Sequence, residues 1–332
     1  MIRFANVHDT SMIMDFIGKH WKKNHILSKD KKLFFFQYKD ESSLNFVISL
    51  TDDKEINGIL GFIPFSDNKS DVWLAIWKVK ENSKSPILGL ELFNFLRNSK
   101  ENGSIVCSGV NKPILKIYKF LGMNTGQLKH YVLLNNSIKK FQVCVVKRDV
   151  RTPIFTRNIE NNYNLRYSSE ERIDKLYSQI IQSNPIQKSK SYFIKRFFYH
   201  PIYKYKVFEI QKSSNTLAII VFRLITIKNS NLMRIVDYIG NEKYLVNIGG
   251  ILNQMMINEN LEYIDFLSYG FSKNIMEKAG FKLVSANDED LIIPNYFNPF
   301  IQKNIEINFA ADTGIAEKLR ICIADGDQDR PS

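Results

Sequence analysis

The chain has 332 residues, of which 44% are hydrophobic, and a formal net charge of +12 from 46 basic and 34 acidic residues. This length allows two domains, and the composition is that of a globular protein. No run of about 18 apolar residues occurs, and Asp9 and Asp15 interrupt the N-terminal region where a signal peptide would be apolar, so we expect a cytoplasmic protein. The excess charge suits an anionic partner, although scattered lysines are most often a solvated surface.

The cysteines Cys107, Cys144 and Cys322 show neither a C-x-x-C spacing nor paired histidines nearby. Their spacing supports neither a disulfide framework nor a zinc site. We therefore expect three buried thiols and no metal.

Hydrophobic periodicity over residues 1–148 predicts the order β, α, β, β, β, α, β, α, β. The predicted strands are MIRFANV, SLNFVISLTD, INGILGFIPF, DVWLAIWKVK, SIVCSGV and KHYVLL, and the helices are TSMIMDFIGKHWKKN, the segment after Pro86, and KPILKIYKFLG. Residues 148–166 contain Pro153 and several asparagines and look irregular. They indicate an inter-domain connection, with the break between about residues 145 and 170.

The second half repeats this theme, which indicates an internal duplication. Its predicted helices are SEERIDKLYSQII, SKSYFIKRFFYH, YLVNIGGILNQMMIN and SKNIMEKAG, and its strands are YKVFEIQK, LAIIVFRLI, MRIVDYIG, EYIDFLSYG and FKLVSA. We predict an α/β protein with two tandem domains, residues 1–150 and 151–332. Each should be a mixed sheet flanked by helices.

Residues 80–96, KENSKSPILGLELFNFL, leave a strand and open a helix. The first-turn amides of such a helix have no intrahelical partner and are suited to an anion. Pro86 in the first turn and Gly89 for close packing would also explain the segment without a ligand.

The segment GVNKPILKIYKFLGM places Asn111, Tyr118 and Gly122 after a strand, on a helix and at its end. With the element order, it resembles the GNAT superfamily of acyl-CoA-dependent N-acyltransferases. The resemblance implies that acyl-CoA is a co-substrate and that Tyr118 protonates the departing thiolate as a general acid. A core tyrosine with a backbone partner is the alternative for Tyr118.

The family's pyrophosphate loop reads Arg or Gln, two residues, Gly, one residue, then Gly or Ala. The resemblance puts Lys84 at the first of these positions, Ile87 at the first glycine and Gly89 at the last, and Ile87 departs from the pattern. It also implies that the strand before the loop splays from the next strand and offers backbone groups to the pantetheine arm. The residues expected to bind CoA are Val79, Lys84, Leu88, Gly89, Leu90 and Asn111.

In the second half, the helix in SKNIMEKAGF has Ile275 and Met276 near the position that corresponds to Tyr118. Gly280 and Phe281 match the glycine and the next residue that end the motif in the family. No pyrophosphate loop can be placed there either. The resemblance therefore implies a second domain that has lost CoA and binds the acceptor.

Tandem chains with a segment like WKKNHILS, residues 21–28, resemble the N-acyltransferases encoded with bacterial O-antigen and capsule enzymes. That resemblance implies a dTDP-linked 3-amino-3,6-dideoxyhexose as acceptor. The segment RFFYHPIYKY offers Arg196 for a diphosphate and the rings of His200, Tyr203 and Tyr205 for a thymine. A packed helix-to-strand corner is an equally good interpretation of these rings.

The C-terminal ADGDQDRPS is acidic, and such a tail is usually a solvated, fraying end. If it is ordered, Arg330 is expected to reach a phosphate or Asp329 a sugar amine. The acceptor ammonium must lose a proton before it attacks, and the candidate bases are His20, His25 and Asp237. We favour His25, because an ordinary histidine pKa suits the task.

Two other functions fit parts of the sequence. The peptidoglycan-bridge aminoacyltransferases also pair two such folds and use aminoacyl-tRNA, but they carry a long helical arm that is not evident here. A nucleic-acid-binding module is supported by the charge alone, without a recognition motif. We expect no nucleic-acid partner, no membrane span, and a monomer or homodimer.

Overall fold

A computed structural model describes residues 1–100, 103–147, 162–180, 182, 184, 187–312 and 319–331. The first part contains β1 Ile2–Asn6, α1 Thr10–Phe16, α2 Lys31–Tyr38, β2 Lys39–Asp40, β3 Ser43–Leu50, β4 Ile56–Pro64, β5 Val72–Val79, α3 Leu88–Ser99, β6 Ile105–Val110, α4 Lys112–Phe120, β7 Asn124–Gln127, β8 Lys129–Leu134 and β9 Val145–Val146. Short 3-10 turns cover Val7–Asp9, Ile26–Ser28, Tyr177–Gln179 and Glu242–Tyr244, and a π-helical turn covers Ile17–Trp21.

The second part begins at residue 162 and has a similar succession of elements up to the strand after its last helix. It contains β10 Tyr163–Tyr167, α5 Glu170–Leu176, α6 Lys190–Phe198, β11 Tyr205–Lys212, β12 Asn215–Ile227, β13 Ser230–Gly240, α7 Leu245–Asn258, β14 Leu261–Tyr269, α8 Lys273–Lys278, β15 Lys282–Val284, β16 Leu291–Ile292, β17 Tyr296–Phe297, β18 Phe300–Ile301, β19 Asn308–Asp312 and β20 Ile321–Cys322.

Within the described residues these strands form two eight-stranded mixed sheets and two small antiparallel pairs, β9 with β16 and β17 with β18. The first sheet has the order β1-β3-β4-β5-β6-β19-β7, with β2 paired to β3 as its eighth strand. The second has the order β10-β11-β12-β13-β14-β8-β15, with β20 paired to β14 as its eighth. The orders match position by position, but the sixth strand of each sheet comes from the other half of the chain. The sequence pattern did not predict this reciprocal exchange, in which β8 and β19 cross over.

The core is divided by the faces of the two sheets. One cluster joins the inner faces of both sheets with α1, α2, α5 and α6, and it includes Phe34, Phe46, Phe193 and Val221. The outer face of the first sheet packs on α3 and α4. The outer face of the second packs on α7 and α8. The shared inner cluster therefore contains residues of both sheets and of four helices.

The sequence prediction of an α/β protein with two mixed sheets flanked by helices is confirmed. The prediction missed α2, which runs through an unbroken aromatic stretch, although Asp30 is its N-cap and accepts a hydrogen bond from the Leu33 amide at 2.9 Å. It also missed β10, which begins at Tyr163 inside the segment interpreted as irregular. The proposed break at residue 150 falls on residues 148–161, outside the described part of the chain.

All three cysteines are buried, as expected. Among the residues that the structure describes, no group of three or more His, Cys, Asp or Glu side chains is arranged to hold a metal ion. No helix in the described ranges is both long and apolar enough to cross a bilayer.

A buried ionic network ties the exchanged strand β8 to the second sheet. Asp265 on β14 is fully buried and accepts hydrogen bonds from Nη2 of Arg234 on β13 at 2.6 Å. The same carboxylate lies 2.9 Å from Nε2 of His130 on β8. Arg234 also donates to the backbone carbonyls of Pro294 and Asn295. Burial alone would raise the pKa of Asp265, but Arg234 and His130 outweigh it and lower the pKa.

We predict that Asp265→Ala lowers the free energy of unfolding by about 3–5 kcal/mol, because it leaves the Arg234 guanidinium buried without its carboxylate. The matched control is Asp15→Ala, which removes an exposed carboxylate 3.2 Å from Lys19 and should cost less than about 0.5 kcal/mol. Urea denaturation measures both. Equal losses for the two variants would contradict the prediction.

Candidate functional site

The strands β5 and β6 pair in parallel at their beginnings and then diverge. Their registered pairs are Val72 with Ile105, Trp73 with Val106 and Leu74 with Cys107, and no pair follows. Beyond Leu74, β5 remains paired with β4 on its other side, and β6 remains paired with β19. The divergence confirms the expected splay of these strands. It leaves one edge of β5 without a strand partner among the described residues.

The helix α3 begins beside the diverging end of β5. Its N-cap is Ile87, which provides no side-chain hydrogen bond to the first turn. The Leu88 amide donates to the Ser85 carbonyl at 3.4 Å, while Gly89 lies over Trp77, where an added Cβ would be 3.4 Å from the indole nitrogen. Lys84 is exposed in the preceding loop. An uncapped first turn beside an exposed lysine is electrostatically suited to an anion.

Tyr118 lies on α4 at the apex of the divergence. Its hydroxyl lies close enough to the thiol of Cys107, the last residue of β6 that pairs with β5, for the two groups to interact. The ring packs against Trp77 and Phe93, with centroids 5.6 and 6.1 Å away. Burial, followed by the proximity of Cys107, raises the pKa of Tyr118 well above its usual value. The hydroxyl therefore stays protonated at neutral pH.

Asn111 and Gly122 bound the helix that carries Tyr118. Asn111 is the N-cap of α4, and its Oδ1 accepts a hydrogen bond from the Ile114 amide at 3.0 Å. Gly122 has a φ of +79° after the last helical turn, which glycine adopts without strain. The Met123 amide then donates to the Tyr118 carbonyl at 3.0 Å. These contacts give both residues a role in orienting α4, and a role of Asn111 in CoA binding stays a prediction.

The second sheet contains an equivalent divergence between β13 and β14. Their last registered pair is Ile235 with Phe266. Here the C-terminal segment, residues 319–331, enters the gap. Cys322 and Ile321 pair with Ser268 and Tyr269 of β14. The Ala324 amide donates to the Val236 carbonyl of β13 at 3.0 Å, so the protein's own chain fills this gap. The acidic C-terminal segment is therefore ordered and packed, and it is not a solvated, fraying end.

Asp237, one of the predicted bases, lies inside this filled gap. Nζ of Lys188 lies 2.5 Å from Oδ1 of Asp237 and 2.5 Å from Oδ1 of Asp325, and all three residues are buried. Burial opposes the charge on Lys188, but the two carboxylates outweigh it and raise the pKa of the ammonium. Burial raises the pKa of Asp325 to about 6. The geometry gives Asp237 an internal ion pair rather than access to an acceptor.

Met276 occupies the place in α8 that Tyr118 occupies in α4. The Phe281 amide donates to the Met276 carbonyl at 3.0 Å, the same bond that Met123 makes to Tyr118, and Gly280 has a φ of +91°. The Met276 side chain is fully buried and has no ionisable proton. The second half therefore lacks an acid at this position.

A cavity of about 420 Å³ lies at the junction of the two halves, and we call it the junction cavity. Gly109, on β6 just beyond the last pair with β5, lines it and adjoins Gln328 so closely that an added Cβ would be 1.9 Å from the amide oxygen. The charged side chains of its described lining comprise four cations and one carboxylate, together with one histidine. They are Lys22, Arg223, Arg234, Arg330, Asp329 and His25. Arg223 is paired with Asp329, Arg234 with Asp265 and Arg330 with Asp327, so Lys22 is the cation of the lining without an ion pair among the described residues.

His25 lines the junction cavity but is a poor base. It is buried, and its Nδ1 accepts a hydrogen bond from the Leu27 amide at 3.2 Å. Burial, followed by the charges of Arg330 and Lys22, lowers its pKa to about 3. The expectation of an ordinary histidine pKa is wrong for this residue, because its burial and two neighbouring cations disfavour the protonated ring. For His20, burial likewise lowers the pKa.

The predicted acceptor-binding cluster around residues 196–205 instead holds the C-terminal segment. Nη2 of Arg196 donates to the Asp329 carbonyl at 2.7 Å, and the Tyr205 hydroxyl donates to Oδ2 of Asp329 at 3.0 Å. His200 stacks on Tyr203 with centroids 5.3 Å apart, and burial lowers the pKa of His200 to about 3. The packed-corner interpretation accounts for Arg196, His200 and Tyr205, and of the cluster only Tyr203 lines the junction cavity.

Sequence reasoning missed several residues of the junction cavity. Arg223 donates to Oδ1 of Asp329 at 2.6 Å and lies 4.2 Å above the Tyr203 ring. Tyr296 accepts a hydrogen bond from Nε2 of Gln328 at 3.0 Å. The sequence does contain one indication of Arg223, because a charged residue within an otherwise apolar strand requires a partner when it is buried. Of the C-terminal residues, Arg330 was predicted and does line the cavity, where it pairs with Asp327 and lies 5.0 Å from the Trp21 ring centroid.

No protein-family model and no curated protein matches the chain. Among solved structures, the chain is similar to a GCN5-related N-acetyltransferase from Anabaena variabilis ATCC 29413, with a TM-score of 0.60 and 9% identity over 94% of this chain and 72% of that one. It is also similar to a conserved protein of unknown function from Enterococcus faecalis V583, described as a probable N-acyltransferase, with a TM-score of 0.55 and 6% identity over 94% and 72%. At these identities the likeness concerns the fold, which is that of two tandem GNAT-like domains.

Proposed function

We propose that this protein is an acyl-CoA-dependent N-acyltransferase whose acceptor is the amine of a dTDP-linked amino-deoxy sugar, destined for the O-antigen of lipopolysaccharide or another bacterial surface polysaccharide. The divergence of β5 and β6, with the Tyr118 hydroxyl beside their last pair, is the observation that carries the proposal. The uncapped first turn of α3 supports the pyrophosphate site at Leu88, Gly89 and Leu90. Val79 ends the open edge of β5, where an extended pantetheine arm would find backbone partners.

In the proposed reaction, the acceptor nitrogen attacks the thioester carbonyl carbon, a C–N bond forms and the C–S bond breaks. The departing thiolate takes the proton of the Tyr118 hydroxyl. The attacking nitrogen releases its own proton as the amide forms, and water returns a proton to Tyr118. Since His25 has a pKa of about 3 and Asp237 is held by Lys188, we infer that the acceptor ammonium loses its first proton to water.

The junction cavity is the proposed acceptor site. Lys22 and the guanidinium groups of its lining are donors suited to a nucleoside diphosphate, and Gly109 connects it to the diverging strand β6. Because one hydrophobic cluster includes residues of both sheets, two substrates bound at this junction would be held close together, which lowers the entropic cost of the reaction. We propose that the thymine ring of the nucleotide stacks on Tyr296, because the ring of Tyr203 already packs against His200 and Arg223.

The aminoacyl-tRNA alternative has less support. The longest helix of the described residues is α7 with 14 residues, so these ranges contain no long helical arm. The cations of the junction cavity line a concave space rather than an exposed stripe, and a stripe is what nucleic-acid binding would favour.

We predict that Tyr118→Phe lowers kcat by about 10²- to 10⁴-fold and leaves the acyl-CoA KM nearly unchanged, because it removes the acid and keeps the ring. Steady-state kinetics with an acyl-CoA and a dTDP-linked amino sugar measure this. The control is Tyr131→Phe, which removes another buried hydroxyl, one without a hydrogen-bond partner among the described residues. If both variants turn over at the wild-type rate, Tyr118 serves only packing.

Lys22→Gln should weaken dTDP binding by about 2- to 5-fold, the range expected when one exposed ion pair is lost. Its neighbour Lys23 is also exposed but does not line the junction cavity. Lys23→Gln is therefore the matched control and should leave the affinity unchanged. Isothermal titration at low salt measures both, and equal affinities in the two variants would place the nucleotide elsewhere.

A further inference from the structure

Gly109 marks the point at which β6 leaves β5. The two strands pair up to Leu74 and Cys107, and the register of β6 with β19 skips Gly109 as it shifts between Asn308 and Phe309. Gly109 has a φ of +77°. A glycine in this left-handed conformation is typical of a β-bulge, and bulges next to active sites change the direction of neighbouring groups. The bulge therefore lies where the gap opens.

The C-terminal segment crosses the inner face of the first sheet near this bulge. Ile323 belongs to the inner hydrophobic cluster together with Trp73 of β5, and a Cβ added at Gly326 would be 3.1 Å from the Trp73 Cβ. Tyr118, in contrast, belongs to the cluster on the outer face. The C-terminal segment and the proposed acid thus approach the gap from opposite faces of the sheet.

Gln328 is the residue of this segment that contacts the bulge. A Cβ added at Gly109 would be 1.9 Å from Oε1 of Gln328, so a larger residue at position 109 would displace the amide. Nε2 of Gln328 donates a hydrogen bond to the Tyr296 hydroxyl at 3.0 Å. This bond fixes the amide with Oε1 toward Gly109. It uses the phenol oxygen at the edge of the ring, so it does not compete with stacking of a base on the ring face.

Oε1 of Gln328 has a surface that a ligand can reach. Gln328, Gly109 and Tyr296 all line the junction cavity. Gln328 is half-buried, and its Oε1 accepts no hydrogen bond from a described residue, yet it is not one of the fully buried atoms that lack a partner. An amide oxygen that is fixed beside the gap and open to the proposed acceptor site is suited to accept a hydrogen bond from a ligand N–H group.

The change of charge during the proposed reaction determines what such an oxygen contributes. The neutral amine attacks the thioester carbonyl, and its nitrogen gains positive charge as the C–N bond forms. A hydrogen bond from the amine N–H to an amide oxygen orients the nitrogen lone pair, and it becomes stronger as the charge develops. An interaction that is stronger in the transition state than in the bound substrate raises kcat.

We propose that Gln328 is a catalytic residue that orients the acceptor amine through Oε1, and that Tyr296 is a positioning residue that acts through Gln328. This inference rests on the proposed acyltransferase function. No proton passes to Gln328. Because His25 has a pKa of about 3 and Asp237 is held by Lys188, orientation by a neutral amide is the contribution of the protein to the attacking nitrogen.

The test measures steady-state kinetics with acetyl-CoA and a dTDP-linked 3-amino-3,6-dideoxyhexose. Gln328→Met should lower kcat by about 10-fold or more and change the nucleotide-sugar KM by less than about 2-fold, because the bond is strongest in the transition state. Gln302→Met is the matched control and should turn over like the wild type. Gln302 is also half-buried and donates through Nε2, to the Val143 carbonyl at 2.8 Å, but it does not line the junction cavity.

A second variant tests the role of Tyr296. Tyr296→Phe keeps the ring and removes the hydroxyl that fixes Gln328, so kcat should fall by about 3-fold or more with little change in the nucleotide-sugar KM. The double variant should turn over like Gln328→Met alone, because the hydroxyl acts only through Gln328. Thermal unfolding checks that each variant is folded. Tyr296→Phe removes a single oxygen atom, so it still tests the proposal if Gln328→Met does not fold.

The outcomes separate this inference from the proposed function. Wild-type kcat in both Gln328→Met and Tyr296→Phe would overturn the inference and leave the acyltransferase function standing. A raised nucleotide-sugar KM with wild-type kcat would assign Gln328 to substrate binding and would also overturn the orienting role. If the wild type turns over neither acetyl-CoA nor hexanoyl-CoA with the nucleotide sugar, the proposed function fails and this inference fails with it.

Discussion

Two parallel neighbouring strands that diverge leave backbone groups without partners, and each sheet of this protein contains such a pair. Buried backbone groups must be satisfied by something. Between β13 and β14 the C-terminal segment supplies the partners, through Ile321, Cys322 and Ala324. Between β5 and β6 no described strand does so. The same structural device is thus closed in one half and available to an extended ligand in the other.

The side chains around the two gaps also differ, and they favour a ligand in the gap of the first half alone. In the first half, a protonated tyrosine, Tyr118, stands at the apex, and the first turn of α3 lacks a side-chain cap. In the second half, Met276 stands at the equivalent place, and Lys188 fixes the inserted segment through Asp325. The asymmetry is the one expected from a duplicated fold in which one half alone keeps an open gap.

The junction cavity lies where the two halves of the chain are interlinked. Each sheet borrows one strand from the other half, and Asp329 is held by Arg196, Tyr205 and Arg223 from three elements. The C-terminal segment consequently forms both the filling of one gap and a wall of the junction cavity. A substitution in the C-terminal segment should therefore affect both the gap between β13 and β14 and the junction cavity.

The sequence was sufficient for the features that depend on local pattern. Periodicity located the long strands and helices, and Asn111, Tyr118 and Gly122 marked α4, because capping and turn residues act within a few positions. It was insufficient wherever distant segments meet. The exchange of β8 and β19, the burial of the acidic tail and the partner of Asp237 all depend on contacts between residues far apart in the chain, which leave no local signature.

His25 shows that the residue type alone does not predict the chemical role of a side chain. Its residue type suggested a base, but its environment of burial, Arg330 and Lys22 brings its pKa to about 3. Arg196 is a second example, since its type suggested a phosphate contact while its position assigns it to Asp329.

The central claim is that acyl-CoA binds in the open gap of the first half and not in the filled gap of the second. Hydrogen–deuterium exchange with and without CoA tests it at the level of single segments. The account predicts slower exchange at residues 77–79 and 88–90 on addition of CoA, with no change at residues 236–240. Slower exchange at residues 236–240 or 245–250, with none at residues 77–79, would contradict it.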